Sequence, residues 1–315
     1  MSQEDLLARV AHLYYILGET QQVIAQRLGM TRIRVHRLLA EAREQGVVQV
    51  QIRGRTGATL ALEQALAERY RLDACQVTPA DHSAETSLSQ IVGSYAAPFV
   101  APLLQPRMTV AVAWGVTLQS LAGAIEPAPA VGHAEETATV VPLLGSLSRR
   151  SSIDRYEAGT LLAQRLHAEC YYLPGPIFTD TKASREAILQ QPLAQEVIAR
   201  ALGADLAIAS VGGTDCETLR SVGYFSDAVF AEVLALGAIG NFLGYFMDAQ
   251  GRIVDHPANE CVVGVHPFDL GGVPCRVLVS GGASKAPMMR MLLQRGTFTH
   301  LVTDETTGRS LLQDA

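Results

Sequence analysis

The sequence predicts an α/β protein with an N-terminal helix-turn-helix domain followed by a larger Rossmann-like domain. Three observations support this prediction. The chain has 315 residues, enough for a small module and a larger one. Its first part places apolar residues at helical spacing and contains a helix-turn-helix pattern. Beyond residue 58, apolar strand segments alternate with helices and glycine-containing turns, which is typical of a parallel sheet covered on both faces.

The first predicted element is a helix over residues 4–17, EDLLARVAHLYYIL, in which apolar residues recur at helical spacing. Gly18 follows it and is a typical helix stop. Residues 21–40, QQVIAQRLGMTRIRVHRLLA, then predict two helices joined by a turn. Ala25 is small where these helices would cross, and Gly29 occupies the turn position that requires a positive φ. The apolar residues expected in the shared core are Ile24, Leu28, Met30, Val35 and Leu38.

The second of these helices would expose a basic face suited to DNA. Arginine binds phosphate oxygens and the O6/N7 edge of guanine well. We predict base contacts for Arg32, His36 and Arg37. Phosphate contacts are predicted for Gln22 and Arg34. A helical hairpin with a solvated basic face is the alternative. With the residue that would cap the helix included, the candidate DNA-binding residues are Gln22, Thr31, Arg32, Arg34, His36 and Arg37.

Charge is distributed unevenly along the chain. The formal net charge is −6, yet residues 1–55 carry eight arginines against five acidic residues, a balance of +3. The remainder carries −9 and would be repelled by DNA. We therefore expect DNA to bind the first domain and not the second.

The region after the helix-turn-helix predicts the domain boundary. Residues 47–53, VVQVQIR, alternate like a short strand, which would form a wing or return to the body. Residues 54–58, GRTGA, have linker composition, and residues 59–72 predict a further helix. We accordingly divide the chain into a DNA-binding domain, residues 1–54, and an effector-binding domain, residues 55–315.

Apolar runs predict the strands of the second domain. They cover residues 108–114, 138–144, 170–175, 205–212, 261–266, 275–281 and 300–304. In parallel sheets of this kind ligands bind at the carboxyl ends of the strands. The turns between each strand and the following helix are therefore the candidate binding positions.

Several of these turns contain candidate effector-binding residues. Gly115 and Thr117 follow one predicted strand, where glycine lets the backbone approach a ligand and helix amides with a Thr hydroxyl favour phosphate. A simple capped turn is the alternative. Gly145 and Ser146 follow the next strand. Asn241 is a polar residue among glycines and aromatic residues.

Lysine is rare in this chain, which contains Lys182 and Lys285 against 23 arginines. Both lysines lie at predicted strand-to-helix junctions. Lys285 follows Gly281 and Gly282 and opens a helix, where its compact charge can meet a phosphate. A solvated surface lysine is the alternative at each position.

Cysteine, histidine and hydropathy patterns point away from other classes of protein. The five cysteines are scattered without CxxC spacing, as expected for reduced thiols, and the eight histidines do not cluster with them. We predict no metal site, no cofactor and no catalytic residues. The start, MSQEDLLARV, does not resemble a signal peptide, and no run of about 18 apolar residues predicts a membrane span. We therefore expect a cytoplasmic protein.

Several stretches, in this order along nearly the whole chain, resemble a known family. They are QQVIAQRLGMTRIRVHRLLAEAREQGVVQVQI, VAVAWGVTL, YYLPGPIF, GAIGNFLGYFMDAQGRIV and VLVSGGASKAPMMRMLLQRGTFTHLVTDETTGRSLL. Together they are similar to the SorC-type family of bacterial sugar-responsive transcription regulators, which includes the deoxyribonucleoside and central glycolytic regulators. The resemblance implies an effector domain similar to sugar-phosphate isomerases and aminosugar-phosphate deaminases. It also implies a phosphorylated sugar or polyol as effector, and assembly into dimers of dimers.

The resemblance also assigns roles to individual residues. It implies that Gly115 and Thr117 hold the effector or its phosphate and that Lys285 neutralises the phosphate. Asn241 stands where the family usually has Asp or Glu in contact with sugar hydroxyls, and an amide can donate as well as accept. Residues 113–114, Ala-Trp, stand where small glycine-rich variants are usual.

We predict a DNA-binding transcription regulator, a repressor of carbohydrate or polyol catabolism genes that responds to a small sugar, polyol or sugar phosphate. Its partners would be a roughly palindromic double-stranded operator, the effector, and further copies of itself in a dimer or tetramer, with no membrane. The alternative is a sugar-phosphate isomerase or deaminase that carries a DNA-binding head. Asp215, Asp248 and Asp304 are the acids available for such chemistry, without a spacing that indicates catalysis. An architectural DNA binder would not need so large an acidic body.

Overall fold

The computed structural model of the protein describes residues 3–45, 47–48, 55–79, 87–127, 137–146 and 157–313. The chain divides into two compact units, Met1–Gly57 and Ala58–Ala315. This division lies close to the predicted boundary between residues 54 and 55. The DNA-binding and effector-binding roles of the two domains remain predictions.

The first unit is helical. Helix α1, Gln3–Ala11, continues into a π-helical turn, His12–Ile16, and Gly18 follows with a φ of 68°. Helices α2, Gln21–Arg27, and α3, Arg32–Glu44, follow and pack against each other. The predicted helices are therefore present. Their shared core is formed by Leu7, Val10, Leu13, Ile24, Ala25, Val35, Leu38, Leu39 and Ala42.

The turn between α2 and α3 has the features that the sequence predicted for it. Gly29 has a φ of 63°, a left-handed conformation that favours glycine, and Ala25 is buried at the helix crossing. The Thr31 hydroxyl accepts a hydrogen bond of 3.3 Å from the backbone N–H three residues later and so caps α3. Of the predicted core residues, Leu28 and Met30 are only partly buried.

The segment after α3 differs in part from the prediction. Residues 47–48 of the predicted strand 47–53 form no strand, and the rest of that strand lies outside the described residues. The linker predicted at 54–58 is wrong from Arg55 onward, because helix α4, Arg55–Tyr70, includes it. This helix buries Leu62 and Leu66 in the core of the second unit, and such packing outweighs the low helix propensity of Gly57.

A parallel sheet forms the centre of the second unit. The strands are β1 (Ala74–Thr78), β2 (Thr109–Val112), β3 (Thr139–Pro142), β4 (Glu169–Cys170), β5 (Leu206–Ala209), β6 (Val211–Gly212), β7 (Ala238–Phe242), β8 (Tyr245–Asp248), β9 (Cys275–Val279) and β10 (His300–Asp304). The seven-stranded sheet has the order β1-β10-β9-β5-β2-β3-β4, and its pairings are parallel. A separate sheet of order β6-β7-β8 is antiparallel. The predicted α/β fold with a parallel sheet is confirmed.

Helices pack around the parallel and the antiparallel sheet of the second unit. They are α5 (Leu88–Val100), α6 (Val116–Ala124), α7 (Ala158–Leu166), α8 (Lys182–Leu189), α9 (Pro192–Leu202), α10 (Glu217–Val222), α11 (Asp227–Ala235), α12 (Pro257–Glu260), α13 (Ala286–Gln294) and α14 (Glu305–Leu312). All four residues of β5 are buried, as expected for a central strand covered on both faces. Within the described ranges, no helix has the length and apolar character needed to cross a membrane.

The strand predicted at 261–266 is wrong, whereas the other predicted segments contain or overlap strands. Its valines are buried, which explains the strand-like pattern. The segment makes isolated bridges instead, pairing Gly264 with Leu144 and Val262 with Phe178. The strand predicted at 170–175 is also reduced, since β4 ends at Cys170.

Helices α5 and α6 approach so closely that one position requires glycine. A Cβ atom at Gly93 would lie 2.1 Å from the carbonyl oxygen of Thr117. We expect Gly93→Ala to push the helices apart and to lower the free energy of unfolding by about 1–3 kcal/mol. Gly123→Ala in α6 is the matched control, because its new methyl would come no closer than 3.7 Å to Leu161. Urea denaturation of both variants measures the difference, and equal stability would contradict this explanation.

Candidate functional site

The order of the strands reverses at the neighbouring pair β2 and β5, which creates a crevice beyond the carboxyl ends of these two strands. From β2 the chain continues to β3 and β4 on one side, and β5 lies on the other side of β2. In parallel sheets such a reversal opens a space at the carboxyl ends of the strands, where ligands bind. A cavity of about 370 Å³ lies at this point, lined by the residues that follow both strands. Its volume is in the range typical of sites for small molecules.

The turn after β2 forms one wall of the cavity. Gly115, with a φ of 131°, precedes the first residue of α6 and brings the start of that helix to the cavity. Thr117 is buried in the first turn and also lines the cavity. The first N–H groups of a helix lack partners within the helix and carry partial positive charge. This wall therefore offers hydrogen-bond donors to a polar or anionic ligand.

Lys285 also lines the cavity and lies immediately before α13. Its ammonium group donates a hydrogen bond of 3.2 Å to the hydroxyl of Ser89. Burial lowers the pKa of Lys285, and the nearby carboxylates of Asp215, Glu217 and Asp304 partly oppose this effect. Because burial disfavours the ammonium form, an anionic ligand that replaces the lost hydration would stabilise the charge on Lys285.

A rigid turn holds Lys285 in place. A Cβ atom at Gly281 would lie 2.4 Å from the carboxylate of Asp304, so only glycine fits there. The N–H of Gly282 donates to Asp304 Oδ2 at 3.0 Å and to the hydroxyl of Thr307 at 2.7 Å. The other lysine, Lys182, does not line this cavity. It is exposed and pairs with Glu260 at 2.7 Å.

Asn241 forms a third part of the wall. It lies buried on β7 opposite Gly212, and a Cβ atom at Gly212 would lie 2.1 Å from its amide nitrogen. Its amide has no hydrogen-bond partner among the described residues. The buried amide of Asn259, by contrast, bonds to the backbone of Phe246 and Val254. The Asn241 amide is therefore available to a ligand in the cavity, both as donor and as acceptor.

Potential catalytic groups at the cavity are engaged or unreactive. Asp215 accepts a hydrogen bond of 2.5 Å from the Ser284 hydroxyl and a second from the N–H of Glu217. Burial, with a smaller contribution from Asp215, raises the pKa of Cys216 to about 11 and keeps the thiol protonated. A protonated thiol is a poor nucleophile, and the Ser284 hydroxyl that pairs with Asp215 is not among the residues that line the cavity.

The structure separates the six candidate effector residues into two groups. Gly115, Thr117, Asn241 and Lys285 line the same cavity. Gly145 and Ser146 do not; they line an adjoining cavity of about 60 Å³. A Cβ atom at Gly145 would lie 2.7 Å from the carbonyl oxygen of Pro176, which gives this glycine a packing role.

The sequence did not predict that residues at the start of α5 line the cavity. Ser87, Ser89 and Gln90 line the cavity, and Ser89 contacts the ammonium group of Lys285. Ser87 and Gln90 form a capping box, whose spacing in the sequence can mark a helix start. The spacing does not reveal that this helix start meets residues about two hundred positions later.

The helix-turn-helix presents all six candidate DNA-binding residues to solvent. They are Gln22, Thr31, Arg32, Arg34, His36 and Arg37. Among the described residues none of the three arginines of this set forms an ion pair, whereas Arg27 pairs with Glu19. The basic face of α3 is therefore accessible to a polyanion. Over the described parts of the chain, no group of three or more His, Cys, Asp or Glu is arranged to hold a metal ion.

Comparison with known proteins covers nearly the whole chain. Residues 54–313 match the family model described as "Putative sugar-binding domain". The chain is 32% identical to the transcriptional regulator LsrR of Klebsiella pneumoniae, over 99% of this chain and 94% of that protein. It is 28% identical to the erythritol catabolism regulatory protein EryD of Brucella abortus, over 99% of this chain and 97% of that protein. The crystal structure of the full-length sorbitol operon regulator SorC from Klebsiella pneumoniae matches with a TM-score of 0.73 and 25% identity, covering 98% of this chain and 99% of that one.

Proposed function

The chain belongs to the SorC-type family of sugar-responsive transcription regulators, and on that premise we propose that it is a repressor. Its operator binding would be controlled by a small polyol, sugar or sugar phosphate held in the cavity at the carboxyl ends of β2 and β5. The relatives are named as regulators, and this chain is accordingly a transcription regulator. We propose the DNA-binding residues, the class of effector and the oligomeric state from the geometry of the two units.

The proposal of a polyol, sugar or sugar-phosphate effector rests on one observation. Gly115, Thr117, Asn241 and Lys285 come from distant parts of the sequence and line one cavity. Together they offer helix amides, a hydroxyl, an unpaired amide and a partly desolvated ammonium group. Polyhydroxylated molecules present many donors and acceptors, and this set matches them. The ammonium group and the start of α6 also suit a phosphate group.

The names of two relatives narrow the panel of effectors to test. One relative regulates erythritol catabolism and another regulates a sorbitol operon. Both compounds are polyols, which are uncharged until they are phosphorylated. We propose the same chemical class for this chain, with polyols, their phosphates and the corresponding sugars as candidates.

The DNA-binding part of the proposal concerns α3. We propose that α3 enters the major groove, with Arg32, His36 and Arg37 at base edges and Gln22 and Arg34 at phosphates, while Thr31 caps the helix. A symmetric dimer, or a tetramer made of two dimers, would pair two such helices on a roughly palindromic operator. Effector binding would shift the population of subunit arrangements and so the spacing of the DNA-binding domains.

A thermal-shift screen of the full-length protein against polyols, sugars and their phosphates tests the effector assignment. A ligand at a hundred times its dissociation constant should stabilise the protein by about 2.7 kcal/mol. We expect one chemical class to raise the melting temperature, and the same compound to change binding to DNA selected from a random duplex library. Stabilisation without any change in DNA binding would contradict the regulatory role. The absence of stabilisation across the panel would contradict the polyol and sugar assignment.

A further inference from the structure

Ile33 is an apolar side chain in the middle of the basic surface of α3. It is 77% exposed, more than any other large apolar residue among the described residues. Its neighbours in the sequence, Arg32 and Arg34, are also exposed. An exposed isoleucine gives a soluble helix no advantage, because its side chain contacts water and its helix propensity is below that of arginine. A binding partner for this side chain would explain its presence.

Helical geometry places Ile33 at the centre of the exposed face. The buried residues of α3 are Val35, Leu38, Leu39 and Ala42. At roughly 100° per residue, Ile33 points about 170° away from the mean direction of these four. His36 and Arg37, three and four positions later, project from the same face. A partner that contacts His36 and Arg37 on this face would therefore also lie close to Ile33.

The charge around Ile33 favours DNA over a second protein molecule as the partner. Arg32, Arg34 and Arg37 surround it and form no ion pairs with described residues. A symmetric contact between two copies through this face would bring like charges together. A polyanion instead pairs with the arginines while its groove receives the isoleucine.

We propose that Ile33 contacts the C5-methyl group of a thymine in each operator half-site. The proposal rests on the proposed function, in which α3 lies in the major groove. That groove exposes the thymine methyl group, and apolar side chains contact it. Residues 32–44 contain no Asn or Gln, the side chains that read adenine through paired hydrogen bonds. On this helix face Ile33 is therefore positioned to distinguish an A·T base pair through the thymine methyl group.

Replacing a thymidine by deoxyuridine removes only the C5-methyl group of the base. This substitution therefore tests the proposed contact directly. The full-length protein would first select its binding sequence from a random duplex library. Each thymine is then replaced by deoxyuridine, and dissociation constants are measured by fluorescence anisotropy. We expect one thymine per half-site whose replacement weakens binding about four-fold, the value that corresponds to one buried methyl group. In Ile33→Ala, binding should be weaker and should no longer depend on that methyl group.

Two variants control the experiment. Ile33→Val keeps a branched apolar side chain and should retain the dependence on the methyl group. Ile16→Ala makes the same chemical change at another exposed isoleucine of the first unit, 70% exposed, and should leave DNA binding unchanged. Circular dichroism should show native helix content for each variant, since neither isoleucine is part of the core.

Several outcomes would overturn the inference, and they are distinguishable from failure of the proposed function. Selection of a defined sequence with no methyl-sensitive thymine refutes the thymine contact alone. So does an unchanged methyl effect in Ile33→Ala. If Ile33→Ala dissociates the oligomer in sedimentation experiments while the methyl effect persists, the face contacts another copy of the chain and not DNA. If no sequence is selected at all, operator binding itself is refuted.

Discussion

Lys285→Met is expected to shift the response to a phosphorylated effector to much higher effector concentrations while DNA binding remains intact. Methionine replaces the apolar stem of the side chain up to Cε but removes the ammonium group, with its charge and its donors. Hydrogen bonds to charged groups contribute about 1.5–3 kcal/mol, so effector affinity should fall about 10- to 100-fold. Isothermal titration calorimetry measures the loss, and electrophoretic mobility of the protein–DNA complex measures what remains of DNA binding.

The chain offers a matched control for this substitution. Lys182→Met makes the same change at the only other lysine, which is exposed and paired with Glu260 outside the cavity. Its effector affinity should equal that of the unmodified protein. An unchanged titration in Lys285→Met would show that the ammonium group has no part in effector binding.

The pH dependence of binding separates phosphorylated from unphosphorylated effectors. Burial lowers the pKa of Lys285, against the opposing influence of Asp215, Glu217 and Asp304. The ammonium group therefore loses its proton at a lower pH than an ordinary lysine does. Affinity for a phosphate should fall as pH rises through this lowered pKa, whereas affinity for a neutral polyol should change little. In the absence of ligand, stability should rise over the same pH window, because the unfolded chain then binds more protons than the native one.

The sequence predicted the central strands better than the edges and the hairpin. β10 was predicted with its observed bounds, because a run of buried apolar residues is bounded by a turn and a capping Asp304. β1 was missed: its residues Ala74–Gln76 are half-buried, and it is an edge strand that forms by pairing with β10. The hairpin of β7 and β8 was missed because Gly240 and a β-bulge interrupt the alternation that marks a strand.

The candidate site was predictable where a general rule of parallel sheets applies. Ligands bind at strand ends next to a reversal of strand order, and Gly115 and Lys285 were selected as strand-end residues. The strand order itself arises from contacts between distant segments and could not be read from local patterns. The same rule therefore selected Gly145, which packs against a neighbouring backbone. Ser89 was not predicted as a site residue, because its place at the site depends on one contact with Lys285, 196 positions away.

Arg37→Ala is expected to weaken operator binding by about 30-fold or more. An arginine that reads a base edge contributes roughly 1–3 kcal/mol, and a symmetric complex loses two such contacts. The side chain is exposed and lies opposite the core of the first unit, so the fold should be unaffected. Anisotropy titrations with the selected sequence and with random DNA measure specific and non-specific binding separately. Specific binding should fall far more than non-specific binding.

Arg34→Ala distinguishes phosphate contacts from base contacts on the same helix. Each neutralised phosphate contributes about 0.9 to the slope of log affinity against log salt. Arg34→Ala should therefore reduce this slope and weaken binding to all sequences alike. Arg309→Ala, at an exposed arginine of the second unit that pairs with Glu305, should leave both the affinity and the slope unchanged. If Arg37→Ala instead weakened random and selected DNA equally, with a reduced salt slope, Arg37 would be a phosphate contact. Sequence recognition by α3 would then have to come from Arg32, Ile33 and His36.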